Sequence, residues 1–223
     1  MRQVLSKIIF MGTKRANSFI CYASCMISIV LISIVGCTEN RGVKKGEIVD
    51  GITVNYPESD ILFGEADAPL NIVFFANYEC QFCRKFFKDD LELLLNQFKG
   101  KVKLSLKIIP SSRSESELDA IKMALSISKY GNFNAYHSLL LREKKIVYSV
   151  SFQDYLNEVM QLNQAIAEYY YSDAVSKDLK KNVDLYNNLG IKGTPAFIIN
   201  NKVLTGYKTY KELNKIIEQL INN

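Results

Sequence analysis

The stretch Asn71–Phe87, NIVFFANYECQFCRKFF, decides how this chain is read. Ile72 to Ala76 is an unbroken apolar run, the pattern of a strand buried on both faces. It meets Cys80-Gln81-Phe82-Cys83, and a segment of helical period follows at once. A C-x-x-C pair at a strand-to-helix junction puts its first thiol at a helix N-terminus. Free N–H groups and the helix dipole favour a thiolate there, and the thiolate is the species that attacks a disulfide. The stretch is therefore read as a dithiol/disulfide site.

The other cysteines support that reading. The chain has five, at positions 21, 25, 37, 80 and 83. Residues 1–36 carry four basic residues, Arg2, Lys7, Lys14 and Arg15, and no acid. From Ala16 to Gly36 nothing is charged, and Met26 to Val35 is strongly apolar, which reads as a targeting segment. Ile34-Val35-Gly36-Cys37 resembles a bacterial lipobox, which would make Cys37 the lipidated first residue after cleavage. The alternative is an uncleaved transmembrane anchor, for which the uncharged stretch is long enough. With Lys14 and Arg15 on the inner flank, both readings put the remaining chain outside the cytoplasmic membrane. Cys21 and Cys25 then belong to the targeting segment, and only Cys80 and Cys83 remain in the folded part. A structural disulfide so short closes almost no loop and stabilises little. In an oxidising compartment a reactive pair is the better explanation. Structural zinc takes four ligands. Two thiols and a distant His137 do not supply them, so no metal is expected.

Charge excludes a further class. Of the net +5, residues 1–36 hold +4. The rest is close to neutral and lacks the basic footprint of a nucleic-acid binder.

Outward from the opening stretch, residues 37–60 read as a polar tether, with a short edge strand at Ile52 to Asn55. A linker of this kind lets an anchored domain reach its partners. Residues 61–223 read as one domain. It has a short strand at Ile61 to Phe63, the buried strand Leu70 to Ala76, and a helix from Gln81 to Lys99 capped by Gly100. Lys101 to Ile109 alternates, with Val102, Leu104, Leu106 and Ile108 on one face and Lys101, Lys103, Ser105 and Lys107 on the other. Strand, helix, strand makes a right-handed β-α-β unit with a parallel pair. An all-helical insertion is expected at about 111–172. Its helices fall at Glu115 to Tyr130, Phe133 to Arg142, a third capped by Ser151 with Asp154, and Gln164 to Tyr170. A crossover helix, Asp173 to Leu189, returns to the sheet. The strands Ala196 to Ile199 and Lys202 to Thr205 join through an Asn200-Asn201 turn. A helix from Tyr210, capped by Thr209 and Glu212, closes the chain.

Three motifs now carry a resemblance. Gly64-Glu65-Ala66-Asp67-Ala68-Pro69 is similar to G-x-x-x-A-P, and Phe75 to Cys83 to F-x-D-Y-x-C-P-x-C. Gly190 to Phe197 is similar to G-V-x-G-T-P-x-F. Together they resemble the DsbA-like family of thiol-disulfide oxidoreductases over roughly Leu62 to Leu220. The resemblance implies an α/β thioredoxin fold, a mixed sheet flanked by helices with an inserted all-helical subdomain. It implies that Cys80 exchanges with substrate, Cys83 resolves, and a cis Pro195 lies beside them. Thr194 would pair with a substrate strand, and Gln81 and Phe82 would border it. No cofactor beyond a redox-active Cys80–Cys83 disulfide is implied. The partners would be cysteine-containing extracytoplasmic proteins and, for an oxidase, a DsbB-like membrane partner. Donation of disulfides is the leading reading. A reductase or isomerase of the same fold, or a peptide-binding chaperone module, is the alternative.

Departures from the family pattern are informative. Asn77 stands for Asp and Gln81 for Pro. Phe74 stands where relatives carry a buried acid, and no histidine separates the cysteines. Acidic Glu79 is adjacent to Cys80, where a like charge opposes a thiolate. His137, in a helix of the insertion, is expected to serve packing, as is the cluster Tyr169 to Tyr171.

Overall fold

The computed structural model describes residues 61–112 and 114–222 in full, and before them the backbone of two short strands. These strands are β1 (Glu47–Val49) and β2 (Ile52–Val54), and they pair antiparallel. The stretch expected to be a tether thus holds a small hairpin where one edge strand was expected. The expected targeting segment and Cys37 lie outside the described residues. Among the described residues, no helix is long and apolar enough to cross a membrane.

A five-stranded mixed sheet forms the centre. β3 (Ile61–Gly64), β4 (Leu70–Ala76), β5 (Val102–Ile108), β6 (Ala196–Ile199) and β7 (Lys202–Thr205) take the order β3-β5-β4-β6-β7. β4 and β5 are parallel, in register from Leu70 opposite Val102 to Ala76 opposite Ile108. The other pairs are antiparallel. The β6–β7 turn forms as its sequence dictates, with Asn200 at φ 46° and Asn201 at φ 65°. Asparagine tolerates this left-handed backbone better than most residues.

Both faces of the sheet are covered. On one, Ile72, Phe74, Ala76, Leu104 and Leu106 join a large core with the active-site helix, the insertion and the closing helix. On the other, Val73, Phe75, Ala196 and Ile198 meet Leu185, Tyr186 and Leu189. The crossover helix there is α7 (Asp173–Asn188). The alternating strand β5 is covered on both faces as well. Its second face is not solvated, since Ser105 and Lys107 are 1% and 2% exposed. Alternation shows which residues share a face. It does not show what covers that face.

The active-site helix is also not uniform. α1 (Gln81–Lys85) passes into a π turn, Phe86–Asp90, and then α2 (Leu91–Gln97). The Leu91 N–H donates to the Phe86 carbonyl, five residues back. The wide turn keeps Phe86, Phe87, Leu91 and Leu94 buried and also buries Asp90. That carboxylate accepts the Tyr207 hydroxyl at 2.5 Å and the Tyr210 N–H at 2.7 Å. Tyr210 opens the closing helix, α8 (Tyr210–Ile221), whose Thr209–Glu212 capping box forms as expected.

The insertion comprises α3 (Glu115–Tyr130), α4 (Phe133–Arg142), a 3-10 turn at Ile146–Tyr148, α5 (Val150–Leu162) and α6 (Gln164–Tyr171). The cap of α5 is Ser149, whose side chain accepts the Phe152 N–H, and not Ser151. His137 does serve packing. Phe63, Phe87, Phe133 and Tyr78 surround its ring at centroid distances of 4.7 to 5.8 Å. Burial pushes its pKa down to about 4.

Candidate active site

β4 delivers the site. After Ala76 the chain turns through Asn77, Tyr78 and Glu79, and the Cys80 N–H closes the turn on the Asn77 carbonyl at 3.2 Å. Cys80 is the N-cap of α1 with extended backbone, φ −73° and ψ 118°. It is half-buried, while Cys83, one turn further on, is fully buried. Both are free thiols in this structure.

The turn before β6 meets them. The Thr194–Pro195 peptide is cis. The Cys80 Sγ–H donates to the Thr194 carbonyl at 3.2 Å, across 114 residues of chain. The structure therefore brings Cys80, Cys83, Thr194 and Pro195 together. In this state the Thr194 carbonyl is occupied by the thiol. Pro195 accepts the Gly206 N–H at 2.9 Å, which fastens the turn to the end of β7. Gln81 is exposed at the start of α1. Phe82 is 48% exposed and stacks on Tyr207, with ring centroids 6.0 Å apart.

The two sulfurs live in different surroundings. Burial is the largest influence on Cys83 and pushes its pKa up to about 12, with backbone N–H donation from Asn77 partly opposing it. Phe74, in the family's acid position, stacks on Phe197 at 4.7 Å and meets the edge of Phe86 at 4.7 Å. A bed of aromatic rings replaces a proton acceptor. Cys83 thus rests as a thiol, buried from reagents, while Cys80 reaches the surface.

Three side chains around the pair tie it to the helical insertion, and sequence reading missed this. The Tyr78 hydroxyl pairs with His137 Nδ1 at 2.5 Å. Burial keeps the imidazole neutral, and its tautomer sets which of the two groups donates. Arg84 donates to the carbonyls of Leu140 and Leu141, both at 2.9 Å, and to that of Tyr78 at 3.3 Å. A guanidinium at a helix C-terminus suits the exposed carbonyls and the dipole there. Asn77 donates through Nδ2 to Ile109 O and to Glu117 Oε1, both at 2.7 Å. Apart from the Arg84–Tyr78 contact, these partners lie 32 to 59 residues apart in sequence, and only the motif position of Asn77 hinted at any of them.

A family model described as Thioredoxin matches residues 57–219. The chain belongs to the thioredoxin family. Among curated relatives, disulfide bond formation protein D of Bacillus subtilis (strain 168) is 24% identical over 167 residues, 71% of this chain and 75% of that protein. Among solved structures, the catalytic domain of Proteus mirabilis ScsC is 26% identical with a TM-score of 0.58, covering 75% of this chain and 92% of that one. Oxidised BdbD from Bacillus subtilis superposes with a TM-score of 0.63 over 80% of this chain and 98% of that one. At 20% identity this match speaks to the fold. This thioredoxin-family chain carries the DsbA-like arrangement, a mixed sheet with a helical insertion, and its enzyme class is thiol-disulfide oxidoreductase.

Proposed function

We propose that the Cys80–Cys83 pair is the redox centre and that the protein donates its disulfide to extracytoplasmic proteins. The observation that carries this is the asymmetry of the pair: one sulfur at the surface on a helix N-terminus, the other buried as a thiol. In the oxidised protein a substrate thiolate attacks Cys80 Sγ. The Cys80–Cys83 bond breaks, a substrate–Cys80 disulfide forms, and Cys83 leaves with the electron pair and takes up a proton. A second substrate thiolate then attacks the substrate sulfur of that bond. The substrate gains one disulfide, and the protein keeps two thiols and two electrons. The Thr194 carbonyl, released by Cys80 once the thiol is gone, accepts a backbone N–H of the substrate segment in the manner of strand addition. Phe82 and Gln81 border that segment, and Pro195 closes its other side.

Renewed donation requires a membrane oxidant of DsbB-like type. Lipidation at Cys37, or an uncleaved helix within residues 1–36, would hold the protein at the membrane, with residues 37–60 as its tether. The test mixes oxidised protein with a reduced two-cysteine peptide. One peptide disulfide per Cys80–Cys83 disulfide lost supports donation. Oxidised peptide reduced by dithiol protein, with no reverse transfer, would make it a reductase. Cys37→Ser should abolish incorporation of labelled lipid; unchanged incorporation removes the lipid anchor.

A further inference from the structure

Glu117 is a buried carboxylate, 4% exposed, in the first turn of α3. The redox step described above does not use it. Burial raises the cost of its charge, yet hydrogen bonds from Ser111, Asn77 and Ser112 more than compensate and hold its pKa below the ordinary carboxylate range. Oε1 accepts the Ser111 N–H at 2.8 Å, the Ser111 hydroxyl at 2.9 Å and Asn77 Nδ2 at 2.7 Å. Oε2 accepts the Ser112 N–H and hydroxyl, both at 2.8 Å. All five polar neighbours are donors.

The Asn77 contact leads to the cysteines. Both Nδ2 hydrogens are committed, one to Glu117 and one to the Ile109 carbonyl. Two acceptors on that side fix the amide orientation. Oδ1 must then face the other way, where it accepts the Glu79 N–H at 2.6 Å. The main chain of the same asparagine accepts the Cys80 N–H and donates to the Cys83 sulfur. One residue therefore touches the backbone before Cys80, the N–H of Cys80 and the sulfur of Cys83. Glu117 fixes its side chain from behind.

We infer that Glu117 is a positioning residue for the redox pair, acting through Asn77 to set the balance between the dithiol and the disulfide. The inference rests on the reading of Cys80–Cys83 as the exchanging pair. The Asn77 N–H donates to the reduced Cys83 sulfur. Loosening Asn77 weakens that bond to the dithiol form and therefore moves the equilibrium toward the disulfide. Glutamine does not replace the glutamate, because its NH2 would face a donor whichever way it turned.

The experiment equilibrates the full chain with glutathione redox buffers and reads the oxidised fraction by thiol trapping. Glu117→Gln and Asn77→Ala should each shift the equilibrium constant at least fivefold toward the disulfide. The double variant should shift it no further than the larger single effect. A Glu117→Gln protein with a lowered unfolding midpoint but an equilibrium constant within twofold of wild type would make Glu117 a structural brace only, and would overturn the inference. Additive shifts in the double variant would overturn the route through Asn77. Asn77→Ala leaves the Ser111 and Ser112 contacts intact and decides the matter alone if Glu117→Gln fails to fold. A wild-type chain that never forms the Cys80–Cys83 disulfide in these buffers would instead remove the parent reading, and this inference with it.

Discussion

At the scale of single residues, burial separates groups of one chemistry into different roles. Cys83 is fully buried and its thiol is pushed up to about 12, so its thiolate fraction at pH 8 is on the order of 10⁻⁴. Cys80 is half-buried at a helix N-terminus. In the reduced, folded protein, Cys80 should be alkylated at least a hundredfold faster than Cys83, as read by peptide mass spectrometry. Comparable rates would contradict the division of roles. His137 offers a second test, because it is the only histidine in the chain. Its folded pKa is about 4 against an ordinary value of 6.5. Above pH 6.5 both folded and unfolded states hold it neutral and stability is unaffected. As pH falls from 6.5 toward 4, the unfolded state gains a proton that the folded state refuses, so stability drops. The loss is about 3 kcal/mol by pH 4 and levels off below it. The imidazole signals in NMR should titrate near pH 4, and His137→Gln should lose this part of the acid dependence. Titration near pH 6.5 in the folded state would contradict the buried aromatic setting.

At the scale of elements, the π turn at Phe86–Asp90 shows how a helix is bent to a tertiary purpose. Such bulges are often found near functional sites. This one turns Asp90 inward to receive the Tyr207 hydroxyl and the Tyr210 N–H, joining the active-site helix to α8. Asp90→Ala leaves both donors without their acceptor. It should cost about 1.5–3 kcal/mol in denaturant unfolding, the range for hydrogen bonds to a charged group. A loss below about 0.5 kcal/mol would show the brace to be idle. The sequence around Asp90 gives no warning of the turn, because its cause is two tyrosines more than a hundred residues downstream. What was legible is local. The apolar run of β4, the Asn200-Asn201 turn and the Thr209–Glu212 box each follow from neighbouring residues. Cys80, Cys83 and Pro195 were legible for the same reason, each sitting within a short motif. The covered face of β5 and the Asn77–Glu117 contact were not. Each depends on an element packed from far along the chain, and alternation or spacing within a segment carries no trace of that.

At the scale of the whole molecule, the helical insertion and the thioredoxin sheet both contribute to the candidate active site. Asn77, Tyr78 and Arg84 flank the cysteines, and each is bonded to a residue of α3 or α4. The other wall comes from the Thr194–Pro195 turn, held by Gly206. Four segments distant in sequence therefore converge on two sulfurs, and the chemistry depends on which sulfur meets the partner. The most direct test treats Cys83→Ser with a cysteine peptide carrying an activated disulfide and reads the intact mass over time. One peptide should join Cys80 and persist, because no second thiol expels it. Wild type should pass through the same adduct and lose it within the time Cys83 needs to attack, and Cys80→Ser should form no adduct. An adduct on Cys83, or one as long-lived in wild type as in Cys83→Ser, would contradict the account.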